Sequence, residues 1–130
     1  MKIMVGYDQS NVAKEALKLA KKHAKAFDAK VYVVRSLAQS HEMKREDIQK
    51  AEQELEKIRR SFRDEGIECK AEAIVSSISP GEDLVQFVKE REIDELIVGV
   101  KRRSKVGKLI FGSNAQYIIL MASCPVVAVK

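Results

Sequence analysis

The segment Gly99-Val-Lys-Arg-Arg-Ser-Lys-Val-Gly-Lys-Leu-Ile-Phe-Gly-Ser113 gathers five cationic side chains and three glycines. Its chemistry is that of an anion site: lysine and arginine supply charge, and glycine lets the backbone come close to a ligand. Gly112-Ser113 stands where a helix begins, so free amides and a hydroxyl are on offer there. Arg102 acts in two opposed ways. Its Cβ takes up room where a phosphate-wrapping chain wants glycine, while its guanidinium donates several charge-assisted hydrogen bonds. Plainer uses exist for all of them: Gly99 as a turn, Gly112 as a helix entry, Ser113 as a helix cap, and Lys101, Arg102, Arg103, Lys105 and Lys108 as a solvated surface.

Three nucleotide motifs fail on this chain. Gly107-Lys108 lacks the preceding glycine and the following Ser or Thr of a P-loop, and no G-x-G-x-x-G follows the first apolar run. A phosphate-accepting receiver needs clustered aspartates, and Val75-Ser76 ends its strand without a carboxylate. Asp8 is the remaining polar candidate near the N-terminus. It can hold a ribose hydroxyl or a metal, or it can shape the turn and favour a helix start.

The elements that must position these groups follow from periodicity. Lys2–Tyr7 is a short apolar run, and Ala13, Ala16, Leu17, Ala20, Ala24 and Phe27 recur at helical spacing after an N-cap at Ser10 or Asn11. Residues 29–34 give a second strand, with Arg35-Ser36-Leu37 as the loop after it. Met43, Ile48, Ala51, Leu55, Ile58 and Phe62 stripe a long charged helix that ends at Gly66. A third strand covers 69–75. Ser79-Pro80-Gly81-Glu82 is a capping box with proline at the first helical position, opening a helix to about Glu92. Residues 94–98 form a fourth strand, 113–122 a fourth helix and 125–129 a last strand. Strands alternating with helices imply a doubly wound α/β fold, a five-stranded parallel sheet covered by helices on both faces. Ligands bind such sheets beyond the carboxyl ends of the strands, where strand order reverses.

The chain has 130 residues, 45% hydrophobic and 33% charged, which fits one soluble globular domain spanning 1–130. No apolar run reaches the roughly 18 residues of a membrane span, and the start MKIMVGYDQ has no signal core; the expectation is a cytoplasmic protein. Cys69 and Cys124 are too few and too isolated for a disulfide framework or zinc site and are expected to be reduced and buried. His23 and His41 have no ligand partners at metal spacing. The net charge of +5 favours anionic partners. Phe111 alone interleaves aromatic character with the basic segment, which leaves little for stacking bases and makes nucleic acid a weak third choice.

Val98-Gly99, two residues, Arg102, nine residues and Gly112-Ser113, followed by a helix and Cys124-Pro125-Val126-Val127, resembles the G-x2-G-x9-G-S/T signature of the universal stress proteins. The resemblance extends over the whole chain and includes the first strand ending in Asp8 and Ser10. It implies an adenine nucleotide alpha hydrolase-like fold, ATP as a ligand, and Asp8, Gly99, Gly112 and Ser113 as binding residues, with backbone near Ser36 for the adenine. Arg102 replaces the second motif glycine, and Gly107 is out of register to substitute. The resemblance further implies a non-catalytic stress-response role and a homodimer joined through the last strand. The alternative within the same family is a dimeric interaction module, with an unidentified protein partner, that works without nucleotide.

Overall fold

The structure, a computed structural model, describes residues 1–40, 42–76, 78–101, 103–105, 108–110 and 112–130, with backbone alone at 76, 103–105 and 108–110. Arg102, Gly107, Phe111 and His41, singled out by the sequence, lie outside the described residues. Strand β1 (Lys2–Gly6), helix α1 (Asn11–Phe27), β2 (Lys30–Ala38), α2 (Arg45–Asp64), β3 (Cys69–Ser76), α3 (Pro80–Glu90) and β4 (Glu95–Gly99) follow in order. A short antiparallel pair, β5 (Arg103–Lys105) with β6 (Lys108–Ile110), precedes α4 (Ser113–Met121) and β7 (Val126–Val129).

Five strands pair in the order β3-β2-β1-β4-β7, every pairing parallel. The chain winds from β1 outward to β3, then returns to place β4 on the other flank of β1. The order therefore reverses between β1 and β4. Ile3, Met4 and Val5 are fully buried, as a strand covered on both faces must be. Side chains alternate between two cores. Ile3, Val5, Val31, Val33 and Ile97 pack with α1 and α2, whereas Met4, Tyr32, Val34, Leu96 and Val98 pack with α3 and α4.

Helix α1 turns an alanine stripe, Ala13, Ala16, Ala20 and Ala24, to the sheet, so the two backbones approach closely. The approach is tight enough that a Cβ at Gly99 would lie 2.6 Å from the Val12 carbonyl carbon and 2.7 Å from the Ala13 nitrogen. Ser10 caps α1, its Oγ accepting from the Ala13 N–H at 3.1 Å. The capping box expected at Ser79 and Glu82 opens α3, and Gly66 follows α2 with φ +76°.

Five expectations need correction. Cys124 is half-buried, not buried, and Met43 precedes α2, which begins at Arg45. Arg35, Ser36 and Leu37 are not a loop, because β2 continues to Ala38 in register with β3. Phe27 leaves the apolar stripe and is 54% exposed, its ring meeting His23 edge-on at 5.7 Å between centroids. The segment after β4 contains the β5–β6 pair, where the sequence shows only a loop. Among the described residues no helix is long and apolar enough to cross a membrane.

Candidate functional site

A cavity of about 440 Å³ opens at the carboxyl ends of β1, β2 and β4, under the first turns of α3 and α4. It lies where strand order reverses, the place at which an open parallel sheet has a natural crevice. Asp8, Ser36, Gly99, Gly112 and Ser113 all line it, so every described site residue named from the sequence meets at one cavity.

Its two ends differ in character. On the β4 side, Lys101 follows the strand, and Gly112, Ser113 and Asn114 begin α4. Ser10 and Ser79 give α1 and α3 side-chain caps, but Gly112 is the N-cap of α4 and supplies no side-chain oxygen. The first turn of α4 therefore borders the cavity with the positive end of the helix dipole and, among the described residues, with no side-chain cap on its first amides. On the β2 side the wall is made by Val34 and Leu84, with Ser36 above them. Asn114 joins the two helix starts, its Oδ1 accepting from the Gly81 N–H at 3.0 Å.

The two motif glycines have different reasons to be glycine. Gly99 makes room for α1, as its contacts with Val12 and Ala13 show. Gly112 has φ −62° and no described atom within 4 Å of a Cβ placed on it. Neither its conformation nor packing among the described residues requires glycine, and a side chain there would enter the space beside the cavity.

Asp8 shapes the β1–α1 turn. Its Oδ1 accepts from the Ser10 N–H at 3.0 Å and from the Ser10 hydroxyl at 2.5 Å, and the next residue, Gln9, is left-handed with φ 69°. A non-glycine residue in that region costs about 1–2 kcal/mol. A cluster that the sequence did not reveal holds the Gln9 side chain from both ends. Gln9 donates to Glu54 and accepts from Arg35 Nη2 at 3.0 Å, while Tyr7 donates its hydroxyl to Glu54 Oε1 at 2.5 Å. Arg35 Nη1 completes the group 3.6 Å from Glu54 Oε2. Burial, then the Glu54 hydrogen bond and charge, push the Tyr7 phenol well above its ordinary value. Burial also pushes the Glu54 carboxyl up, but hydrogen bonds from Tyr7 and Gln9 and the Arg35 charge outweigh it and hold the group below its ordinary value. The available signal was the alternation along β2: once Tyr32 and Val34 face α3, Arg35 must face α2 and Ser36 must face α3.

Among the described residues no group of three metal-ligating side chains occurs. A second cavity, about 560 Å³, lies at the opposite end of the sheet beside Lys25, Lys30, Glu65 and Glu68. Glu65 is paired there with Lys21 and Lys25, and Lys30 with Glu68.

The model of the universal stress protein family matches residues 1–130. A solved universal stress protein from Archaeoglobus fulgidus is 34% identical, with a TM-score of 0.85 over all of this chain and 93% of that one. A structure of the universal stress protein from Archaeoglobus fulgidus in complex with dAMP is 31% identical, with a TM-score of 0.80 over all of this chain and 98% of that one. A universal stress protein of Methanocaldococcus jannaschii is 29% identical over 99% of this chain and 81% of its own length.

Proposed function

The chain belongs to the universal stress protein family, and on that footing we propose that it binds an adenine nucleotide, ATP in the first instance, in the cavity between β1 and β4. The uncapped start of α4 beside Lys101 carries the reading: it offers amides, a hydroxyl and a cation to a phosphate at one end of a crevice whose other end is apolar. The relative bound to dAMP supports the ligand class. Ser113 and the α4 amides take phosphate, Asp8 stands by the ribose, and the β2 wall at Ser36 takes the base. The role is non-catalytic and regulatory. Asp8 is the carboxylate of the cavity lining, and its Oδ1 is occupied by Ser10, which leaves little material for a general base.

The assembly proposed is a homodimer through β7. That strand ends the sheet with one edge unpaired, and α4, which leads into it, exposes Ile119, Leu120 and Met121. A cytoplasmic stress-response role completes the proposal.

Calorimetric titration of ATP into dialysed protein tests the site. Binding by wild type that is lost in Gly112→Val, with the fold intact by circular dichroism, is the expected result. No binding by wild type, or binding unchanged in Gly112→Val, overturns the assignment. In the same titration Arg102→Gly is expected to tighten ATP binding, because the segment keeps four other cations while regaining glycine at the second position of the family signature. Looser binding would identify Arg102 as a phosphate clamp.

A further inference from the structure

Ser36 lines the cavity and is hydrogen-bonded to Asp83 on α3, a pair to which the nucleotide reading assigns no task beyond backbone contact at Ser36. Asp83 is 6% exposed and the one buried charged side chain among the described residues. A buried carboxylate is costly unless strongly partnered, and an apolar residue of similar size would hold α3 to the sheet at least as well. Its Oδ2 accepts a hydrogen bond from Ser36 Oγ at 2.6 Å. The single hydroxyl hydrogen of Ser36 is thereby committed to Asp83, and the lone pairs of Oγ are what Ser36 has left to offer. Ser36 lines the cavity together with Val34 and Leu84, on the sheet face it shares with Val34.

We propose that the Ser36–Asp83 pair determines which base the cavity accepts: Ser36 Oγ, its hydrogen held by Asp83, takes a hydrogen bond from an exocyclic amino group and opposes an oxo group at the same position. The inference rests on the nucleotide reading above and makes a 6-aminopurine the preferred base over a 6-oxopurine. Ser36 touches the base, and Asp83 is a positioning residue acting through it. An oxo oxygen set against Oγ would leave two acceptors facing each other away from water, the arrangement by which a polar site rejects a near-isostere most effectively.

Inosine triphosphate differs from ATP at C6, where an oxo group with its ring N–H replaces the amino group, and so isolates the contact. Titrations of ATP and inosine triphosphate into wild type, Ser36→Ala, Ser36→Thr and Asp83→Asn are expected to show three things. Wild type prefers ATP by about tenfold or more. Ser36→Ala and Asp83→Asn bring the two ligands to within about threefold of each other, the latter because an amide can donate to Oγ as well as accept from it. Ser36→Thr keeps the hydroxyl and the preference. Thermal unfolding confirms that each variant is folded, and if Asp83→Asn is not, the alanine and threonine variants decide the matter. Equal binding of both ligands by wild type, or a preference that survives Ser36→Ala, overturns this inference and leaves the nucleotide reading standing. Failure of wild type to bind either ligand overturns both.

Discussion

One methyl group added at Gly99 and one added at Gly112 should have opposite consequences, although both glycines belong to the same sequence signature. At Gly99 the new Cβ lies 2.6 Å and 2.7 Å from backbone atoms of Val12 and Ala13. Backbone cannot swing aside as a side chain can, so the first turn of α1 must lift, and with it the stripe Ala13, Ala16, Ala20 and Ala24 that seats the helix on the sheet. Overpacking of this kind costs about 1–3 kcal/mol, and with main chain as the obstacle the upper half of that range applies. At Gly112 the φ of −62° suits any residue, and no described atom lies within 4 Å of the new carbon. Replacing glycine there gains about 0.4–1 kcal/mol by narrowing the unfolded ensemble and loses a similar amount because alanine is a poorer N-cap. The two nearly cancel.

Urea unfolding followed by far-ultraviolet circular dichroism measures both. Gly99→Ala is expected to lower the midpoint with an unchanged slope, by the equivalent of about 2–3 kcal/mol, and Gly112→Ala to leave it within the equivalent of about 0.5 kcal/mol of wild type. ATP affinity should be weakened in Gly112→Ala while the fold stands. A Gly99→Ala protein as stable as wild type would refute the account of that glycine as room for α1. A Gly112→Ala protein destabilised as much as Gly99→Ala would show that packing, and no ligand, fixes the second glycine.

Glu54→Gln should cost about 1–2 kcal/mol, the difference between charged and neutral acceptors for the Tyr7 and Gln9 bonds. Because the folded-state carboxyl is held below its ordinary value, its contribution is complete above the ordinary carboxylate range and is lost as pH falls through the depressed value. The wild-type acid limb of stability against pH should therefore be steeper than that of Glu54→Gln, and coincident limbs would refute the role of the charge. Burial pushes the Cys69 thiol up to about 12 and raises that of Cys124, so native-state labelling with a thiol reagent at pH 8 should be slow at both; rapid reaction at Cys124 would contradict it. Sedimentation should give about twice 14.6 kDa. Leu120→Glu, at a residue 79% exposed, should halve that mass without loss of stability, whereas a substitution at Val127 on the strand itself, which packs against the α1-side core, would confound the two effects.

The sheet and its four helices were legible because each rests on local chemistry: apolar runs with β-branched residues, an alanine stripe, a cap at Ser10 or Asn11 that the structure resolves to Ser10, and a capping box at Ser79 that it shows. Asp8, Gly99, Gly112 and Ser113 were legible as neighbours because parallel strands deliver their following loops to one end of a sheet. What stayed hidden depends on partners distant in sequence. Arg35 and Ser36 looked like loop residues because polar side chains at a strand end resemble a turn, yet pairing with β3 extends β2 through both. Only that extension sets Arg35 toward Glu54 and Ser36 toward Asp83, each 19 or 47 residues further along the chain.

The extension of β2 matters for the site as a whole because consecutive residues on a strand point to opposite faces. Arg35 reaches the α2 face and, through Gln9, braces the left-handed turn that carries Asp8. Ser36 reaches the α3 face and enters the cavity wall. A strand ending at Val34 would supply neither. Arg35 and Ser36, the first two of four residues of added pairing, thus fix both the turn that borders the cavity and the wall at its β2 side, from a strand whose interior positions Val31 and Val33 are fully buried and rigidly placed. The geometry at the β2 end is accordingly set by the sheet itself, while the β4 end depends on the start of α4, where Gly112 leaves the first amides without a side-chain acceptor. A ligand spanning both ends would meet a preformed wall at one and an open helix start at the other, which is why base selectivity and phosphate affinity should respond to different substitutions.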